Sequence, residues 1–318
     1  MNSPPLDYEI FSPTTKSLRD GVLILGNFDG VHRGHHAVIK AALDQARRMG
    51  NVPVSVLTLE PHTRTVFNPD IAPFRLTPAK VKIRLLKDLG VDEVIVIRFT
   101  PEYANMKAQD FVNEILVEQY AVRHVVAGFD FVFGQGRGGN MQRLREWLAP
   151  KGVEVTEIMP CRDAQGEIMS SSRVRNALKE GDLSTARNIL GRPWSISGVV
   201  EHGIQRGRSI GFPTANISLG EYIRPKFGAY SVYARRVGTQ QALPGVANIG
   251  TRPTVDGNEE LLEFYIFDFY SDIYDQEWEI ELIDFLRPEE TFSDIQALKA
   301  QIMCDVEAAK ASLSCLHI

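Results

Sequence analysis

The chain has 318 residues with 35 Lys and Arg against 40 Asp and Glu, a formal net charge of −5, 44% apolar and 24% charged residues. That length favours two domains over one core, and that charge gives no overall electrostatic case for a nucleic-acid or acidic-membrane partner. Three distant cysteines (Cys161, Cys304, Cys315) without a CxxC pair argue against a disulfide framework or zinc ribbon, the first residues lack the basic and apolar regions of a signal peptide, and no apolar run is long enough to span a bilayer, so the expectation is a cytoplasmic protein.

Val22-Leu23-Ile24-Leu25 is a continuous apolar run, the pattern of a strand buried on both faces. Asp29-Gly30 and Gly34 supply a turn, and Ala37, Val38, Ala41, Ala42 and Ala46 fall at helical spacing from about His35 to Met49. Further strands are predicted near 52–59, 93–98, 122–127 and 153–158, with helices near 78–89, 107–119 and 140–149 between them. Thr77-Pro78 reads as an N-cap followed by proline at the first helical position. This alternation predicts a parallel sheet with helices on both faces and ligands at the carboxyl ends of its strands.

The pattern changes after about residue 185. Ser195–Glu201, Tyr230–Arg235, Leu261–Phe269 and Trp278–Phe285 read as strands separated by Gly and Pro. A closing helix is predicted over Ser293–Leu313 with Ser293 as its N-cap. The second domain therefore reads as a small β-barrel or sandwich plus one helix, with the boundary placed between 1–186 and 187–318.

Four motifs carry chemistry. In Gly26-Asn27-Phe28-Asp29-Gly30-Val31-His32-Arg33-Gly34-His35, two histidines stand at a helix entry behind a strand and a turn. A helix N-terminus has unpaired N–H groups and a partial positive charge, and two imidazoles there can donate to a nucleotide phosphate. A metal site with His36 and His62, or a pair of surface histidines, are the alternatives; His36 points away from the pair and reads as structural. Gly128-Phe129-Asp130-Phe131-Val132-Phe133-Gly134 follows the fourth strand; its phenylalanines can stack on a flat ring and Asp130 can accept from a base or ribose hydroxyl, though the glycines alone say only loop. In Ser170-Ser171-Ser172-Arg173-Val174-Arg175, serines cap a helix and arginines can reach phosphates, and an ordinary helix start is equally compatible. Thr214 and Asn216 in Gly211-Phe212-Pro213-Thr214-Ala215-Asn216 are hard oxygen ligands suited to Mg²⁺, with Gly203 to Arg208 before them able to bring backbone close to phosphates; a barrel turn is the alternative.

In order, GNFDGVHRGH, GFDFVFGQGRGG, SSSRVR, LGRPW, GFPTAN, NIGTRPT and LRPEETF make the chain resemble the prokaryotic bifunctional riboflavin kinase/FAD synthetase family over about residues 20–310. The resemblance implies α/β plus β architecture: a Rossmann-like nucleotidyltransferase domain that joins FMN to the AMP of ATP, then a six-stranded riboflavin-kinase-type β-barrel that phosphorylates riboflavin. It implies ATP as co-substrate in both reactions, Mg²⁺, small-molecule substrates and no nucleic-acid or membrane partner. By motif, His32 and His35 would contact ATP phosphates; Gly26, Asn27, Phe28, Asp29 and Gly34 would shape that pocket; Asp130 would bind nucleotide or flavin; Ser171, Ser172 and Arg173 would hold the triphosphate. In the barrel, Gly203, Arg208, Gly211 and Pro213 would line the ATP and flavin site, Thr214 and Asn216 would hold Mg²⁺, Glu263 would be the general base, and Arg287 would contact flavin or nucleotide. The chain departs from the family pattern at Leu59, Thr63, Ser172, Ala229, at Tyr265 where a histidine is common, and at Asp275 where glycine is usual.

Overall fold

A computed structural model of the chain describes residues 19–201, 212–254 and 257–314. It divides into two compact units, one of 1–72 and 77–169, the other of 73–76 and 170–318. The sequence boundary at 186/187 falls inside a helix of the second unit (Leu183–Leu190), so the contacts divide the chain earlier, after Met169.

The first unit is built on five parallel strands, β1 (Val22–Leu25), β2 (Val54–Glu60), β3 (Glu93–Arg98), β4 (His124–Gly128) and, after a short β5–β6 hairpin (Val132–Phe133, Gly139–Asn140), β7 (Glu154–Ile158). Their order is β3-β2-β1-β4-β7. Successive strand residues face opposite sides of a sheet. Val22, Ile24, Val56 and Val94 accordingly pack toward α1 (Arg33–Arg48), while Leu23, Leu25, Leu57 and Val125 pack toward 111–119. Each such fully buried aliphatic contributes roughly 1.5–3 kcal/mol of transfer free energy.

The intervening helices are α2 (Thr63–Phe67), α3 (Ala79–Asp88), α4 (Pro101–Ala104), α5 (Ala108–Asp110) and α6 (Met141–Leu148). Two details differ from the sequence expectation. The helix predicted over 107–119 winds as a π-helix over Phe111–Gln119. Pro78, and not Thr77, occupies the N-cap of α3, because the Thr77 hydroxyl is taken by the loop after β1. Strands β2 and β4 pair with β1 from opposite sides and the strand order reverses between β1 and β4, so the carboxyl end of β1 lies at the switch point where open α/β sheets bind ligands.

The second unit opens with α7 (Ser171–Glu180) and α8 (Leu183–Leu190) and continues as an antiparallel six-stranded barrel of β8 (Trp194–Val199), β9 (Ala215–Ser218), β10 (Gly228–Arg236), β11 (Leu243–Thr254), β12 (Gly257–Ile266) and β13 (Glu277–Pro288), in the order β8-β13-β10-β11-β12-β9. The edge strands meet where Glu201 N donates to the Asn216 carbonyl at 2.9 Å, which nearly closes the barrel. Ile196, Ile217, Tyr230, Val232, Leu262 and Ile280 are fully buried. The last helix, α9 (Ile295–Ser314), covers Val246, Phe267 and Ile283 with Val306, Ala309 and Leu313. Asp294, and not Ser293, caps it, its carboxylate accepting from Gln296 N and Ala297 N. Strands β9 and β11 were not among the predicted segments; the glycines and prolines of 243–254 mask the alternation there.

Candidate functional sites

In the first unit, residues 26–32 connect β1 to α1 through an improbable backbone. Phe28 and Val31 have φ of 53° and 42°, left-handed values that non-glycine residues, and β-branched ones most of all, seldom adopt. Such conformations persist only where the surroundings over-determine them. Here Phe28 and Val31 are buried in the core between sheet and α1. The Asp29 carboxylate accepts from Thr77 N at 3.0 Å and Thr77 Oγ1 at 3.3 Å, while Thr77 Oγ1 accepts from Gly30 N at 2.9 Å. Asp29 is 3% exposed, so its work is to fix the loop. Beneath the loop, the Asn27 carbonyl accepts from Lys82 Nζ at 3.2 Å and Thr58 Oγ1 at 3.3 Å.

The loop delivers His32 as the N-cap of α1. His32 N donates to His35 Nδ1 at 3.3 Å, and the two imidazoles stack with centroids 3.7 Å apart and 21° between planes. Phe28 supports His35 from the side, at 5.1 Å between centroids. With Nδ1 as acceptor, a neutral His35 carries its proton on Nε2 and can donate it to an anion. Gly34 is required by this stack: a Cβ there would come within 2.9 Å of the His32 ring. A Cβ at Gly26 would likewise come within 2.9 Å of Phe28. His36 turns to the Val31 carbonyl, at 3.1 Å. Among the described residues no group of three His, Cys, Asp or Glu side chains could hold a metal ion.

Past β4, Asp130 and Phe129 are exposed on the rim, whereas Phe131 stacks on Phe133 at 5.5 Å and both join the core cluster with Phe111. Of the three phenylalanines expected to stack on a ligand, Phe133 belongs to the core and Phe131 packs on it, because the β5–β6 hairpin folds them inward.

In the second unit, Ser170 caps α7, its hydroxyl accepting from Arg173 N at 3.3 Å, with Ser171, Ser172 and Arg173 in the first turn. Arg175 instead donates to the Phe74 carbonyl at 2.8 Å and lies over the Phe74 ring.

The barrel brings together Thr214, Asn216 and Glu263. Strand β9 pairs with β12 so that Asn216 lies opposite Glu263. Ala215, Ile217, Leu262 and Phe264 fill the alternate, buried positions, leaving Thr214, Asn216 and Glu263 together on the other face. The Thr214 hydroxyl donates to Glu263 Oε1 in a short hydrogen bond. Asn216 is 7% exposed, and its Oδ1 has no hydrogen-bond partner among the described residues. A buried carbonyl oxygen left this way costs free energy unless a ligand meets it. Next to Thr214, a cavity of about 440 Å³ is lined by Pro213, Ala215, Phe264, Phe269, Tyr270 and Tyr274, and neither Asn216 nor Glu263 lines it. Asp275, which follows Tyr274, has φ 59°, so the turn keeps the left-handed backbone that glycine would adopt there. Tyr265 packs edge-on to Phe212 and Phe267, at 5.6 and 5.9 Å, and desolvation by burial pushes its hydroxyl pKa up.

Arg287, expected to contact flavin or nucleotide, has its guanidinium committed elsewhere: Nε and Nη2 donate to the Asp305 carboxylate of α9, both at 2.8 Å, and Nη1 donates to the Pro288 carbonyl. That bidentate pair holds Arg287 protonated well above its usual range. Gly203, Arg208 and Gly211 lie outside the described residues.

The FAD synthetase family profile matches residues 14–173, which hold the histidine loop, and the riboflavin kinase profile matches residues 190–313, which hold the Thr214–Asn216–Glu263 cluster. The chain belongs to the bifunctional riboflavin kinase/FMN adenylyltransferase family. It is 40% identical to the bifunctional riboflavin kinase/FMN adenylyltransferase of Escherichia coli K12 over 289 residues, 91% of each chain. The enzyme of the same description from Bacillus subtilis is 37% identical, over 91% of each chain. A crystal structure described as a macrolide-efflux protein from Streptococcus pneumoniae is 31% identical, covers 92% of this chain and 94% of its own, and superposes with a TM-score of 0.80. Among the described residues no helix is long and apolar enough to cross a membrane.

Sequence reasoning missed Thr58, Glu60, Thr77 and Lys82 around the histidine loop. One signal was available: Lys82 occupies the buried stripe of α3 with Ala79, Val81 and Leu86, where a charge is out of place.

Proposed function

We propose that the two units perform consecutive reactions, phosphorylation of riboflavin to FMN by ATP and adenylylation of FMN by a second ATP. The observation that carries this reading is that the two matched segments each contain a separate, locally assembled polar site.

In the barrel, the ribityl 5′-hydroxyl attacks the γ-phosphorus of ATP as that phosphorus loses its bond to the bridging oxygen, and ADP leaves. Glu263 takes the hydroxyl proton; Thr214 occupies its Oε1 and orients the carboxylate, leaving Oε2 for that proton. Thr214 Oγ1 and Asn216 Oδ1 are the hard oxygens that would hold Mg²⁺, and the buried Asn216 Oδ1, without a hydrogen-bond partner among the described residues, fits that role. When bound, Mg²⁺ neutralises charge on the phosphate oxygens. Pro213 and the aromatic cavity give a flat apolar ligand its walls, and Gly203, Arg208 and Gly211 are assigned to the same site from the family motif.

In the first unit, an FMN phosphate oxygen attacks the α-phosphorus of ATP as the bond to pyrophosphate breaks. His35 Nε2–H and His32 hydrogen-bond the phosphates and stabilise charge building on them, with no covalent enzyme intermediate. From the family motifs, Asn27 is assigned to the shape of the pocket, Asp130 to nucleotide or flavin, and Ser171, Ser172 and Arg173, at the end of the segment that the FAD synthetase profile matches, to the triphosphate. The absence of a CxxC pair fits a reducing, cytoplasmic setting. The test is an ATP-dependent time course with product separation: His32→Ala/His35→Ala stops FAD formation and accumulates FMN, and Glu263→Gln stops FMN formation while supplied FMN is still converted.

A further inference from the structure

The loop that carries the histidines rests on a buried charge. Lys82 is 1% exposed and Glu60 4%, and Lys82 Nζ lies 2.6 Å from Glu60 Oε1. The same ammonium donates to Thr58 Oγ1 at 3.0 Å and to the Asn27 carbonyl at 3.2 Å, and Thr58 Oγ1 passes a second hydrogen bond to that carbonyl. Three acceptors thus converge on the three donors of one ammonium.

Burying two ions is expensive, and an apolar pair of similar volume commonly serves stability as well or better. An ion pair at this position therefore asks for a purpose other than stability. The carbonyl it holds belongs to the residue just before Phe28, whose left-handed backbone starts the turn that aims His32 and His35. Thr77 clamps the far side of that turn through Asp29 and Gly30, but nothing in the Thr77 clamp fixes the peptide between Asn27 and Phe28. A methionine at 82 could fill the space and could not hold the carbonyl.

We propose that Lys82, kept charged and in place by Glu60 and Thr58, is a positioning residue for adenylyl transfer: it fixes the Asn27–Phe28 peptide and so sets the orientation of the stacked histidines. This rests on the assignment of adenylyl transfer to the first unit. Lys82 touches no reacting atom and acts through the loop.

The test uses the full-length chain, with its riboflavin kinase activity as an internal control. In Lys82→Met, kcat for FMN adenylylation falls by about tenfold or more, the KM for FMN stays within about twofold, and riboflavin phosphorylation is unchanged, since misplacing a positioned group costs turnover before binding. Glu60→Gln/Lys82→Met, which leaves no unpaired buried charge, recovers the thermal stability lost in Lys82→Met and does not recover kcat. Thr58→Val, which removes one link without stranding a charge, lowers kcat by about threefold or more and decides the matter if either Lys82 variant fails to fold. Recovery of kcat in the double variant, or wild-type kcat in Thr58→Val, overturns the proposal. Absence of adenylylation in the unmodified chain would instead overturn the assignment on which it rests.

Discussion

The imidazoles of His32 and His35 lie face to face, 3.7 Å between centroids, and a Cβ at residue 34, in the first turn of α1, would come within 2.9 Å of the His32 ring. Both facts follow from one loop. Residues 26–32 turn through two left-handed non-glycine positions to bring the first histidine onto the helix cap and the second one turn later.

Gly34→Ala places a methyl group within 2.9 Å of the His32 ring. The ring is expected to move, since alanine itself is well suited to a helix interior. FMN adenylylation is expected to fall by about tenfold or more while riboflavin phosphorylation holds, a contrast read by assaying each reaction separately in the same preparation. Equal adenylylation in variant and parent would show that the stack is not the working arrangement.

Asn216→Ala removes a buried oxygen that makes no hydrogen bond among the described residues, so the usual cost of deleting a hydrogen-bonded side chain is absent. The variant is expected to melt within a few degrees of the parent and to lose FMN formation, with supplied FMN still adenylylated. A large drop in melting temperature with activity retained would make Asn216 a structural residue.

Arg287 and Asp305 join β13 to α9 through two 2.8 Å bonds, with side-chain exposures of 17% and 9%. A double-mutant cycle of Arg287→Ala and Asp305→Ala in urea denaturation is expected to give a coupling of about 2 kcal/mol, the range of well-formed charged hydrogen bonds. Asp305→Ala, which leaves the arginine in place, tests the ligand role: a direct flavin contact predicts a lower KM for riboflavin in that variant, and the structural role predicts no such gain.

His124 starts β4 at the amino end of the sheet, away from the histidine loop, with Nε2 2.8 Å from Thr156 Oγ1. Burial lowers its pKa from 6.5, against a smaller raising influence of Glu154. The unfolded chain therefore binds the proton more readily than the folded one, so the stability His124 contributes is full above about pH 6.5 and is lost as pH falls through the depressed folded value. Urea midpoints measured from pH 7.5 down to 5 are expected to fall more steeply for the parent than for His124→Gln. Parallel slopes would place the acid sensitivity elsewhere.

Much of this was legible in the sequence where one periodicity dominated. The run Val22–Leu25 read correctly because a strand buried on both faces has no polar positions to confuse it, and Trp278–Phe285 was legible as a strand within the half-buried β13. The histidine pair was visible because helix entry, glycine turn and strand lie within a few residues. What was hidden depended on distant partners. Thr77 looked like a helix cap, and only the fold brings Asp29 to it, 48 residues away in sequence. Arg287 looked available to a ligand until α9 folded Asp305 against it. Asp275 stands where the family pattern has glycine, yet aspartate holds the left-handed backbone itself, with its N–H on the Val200 carbonyl at 3.0 Å.

Two sites working in series are tested most directly by one measurement: the full-length chain incubated with ATP and Mg²⁺, products separated over time, started once from riboflavin and once from FMN. Riboflavin is expected to give FMN and then FAD, FMN to give FAD with pyrophosphate, and His32→Ala/His35→Ala to stop at FMN. Failure of both products to form, or loss of both activities together in that folded variant, would contradict it.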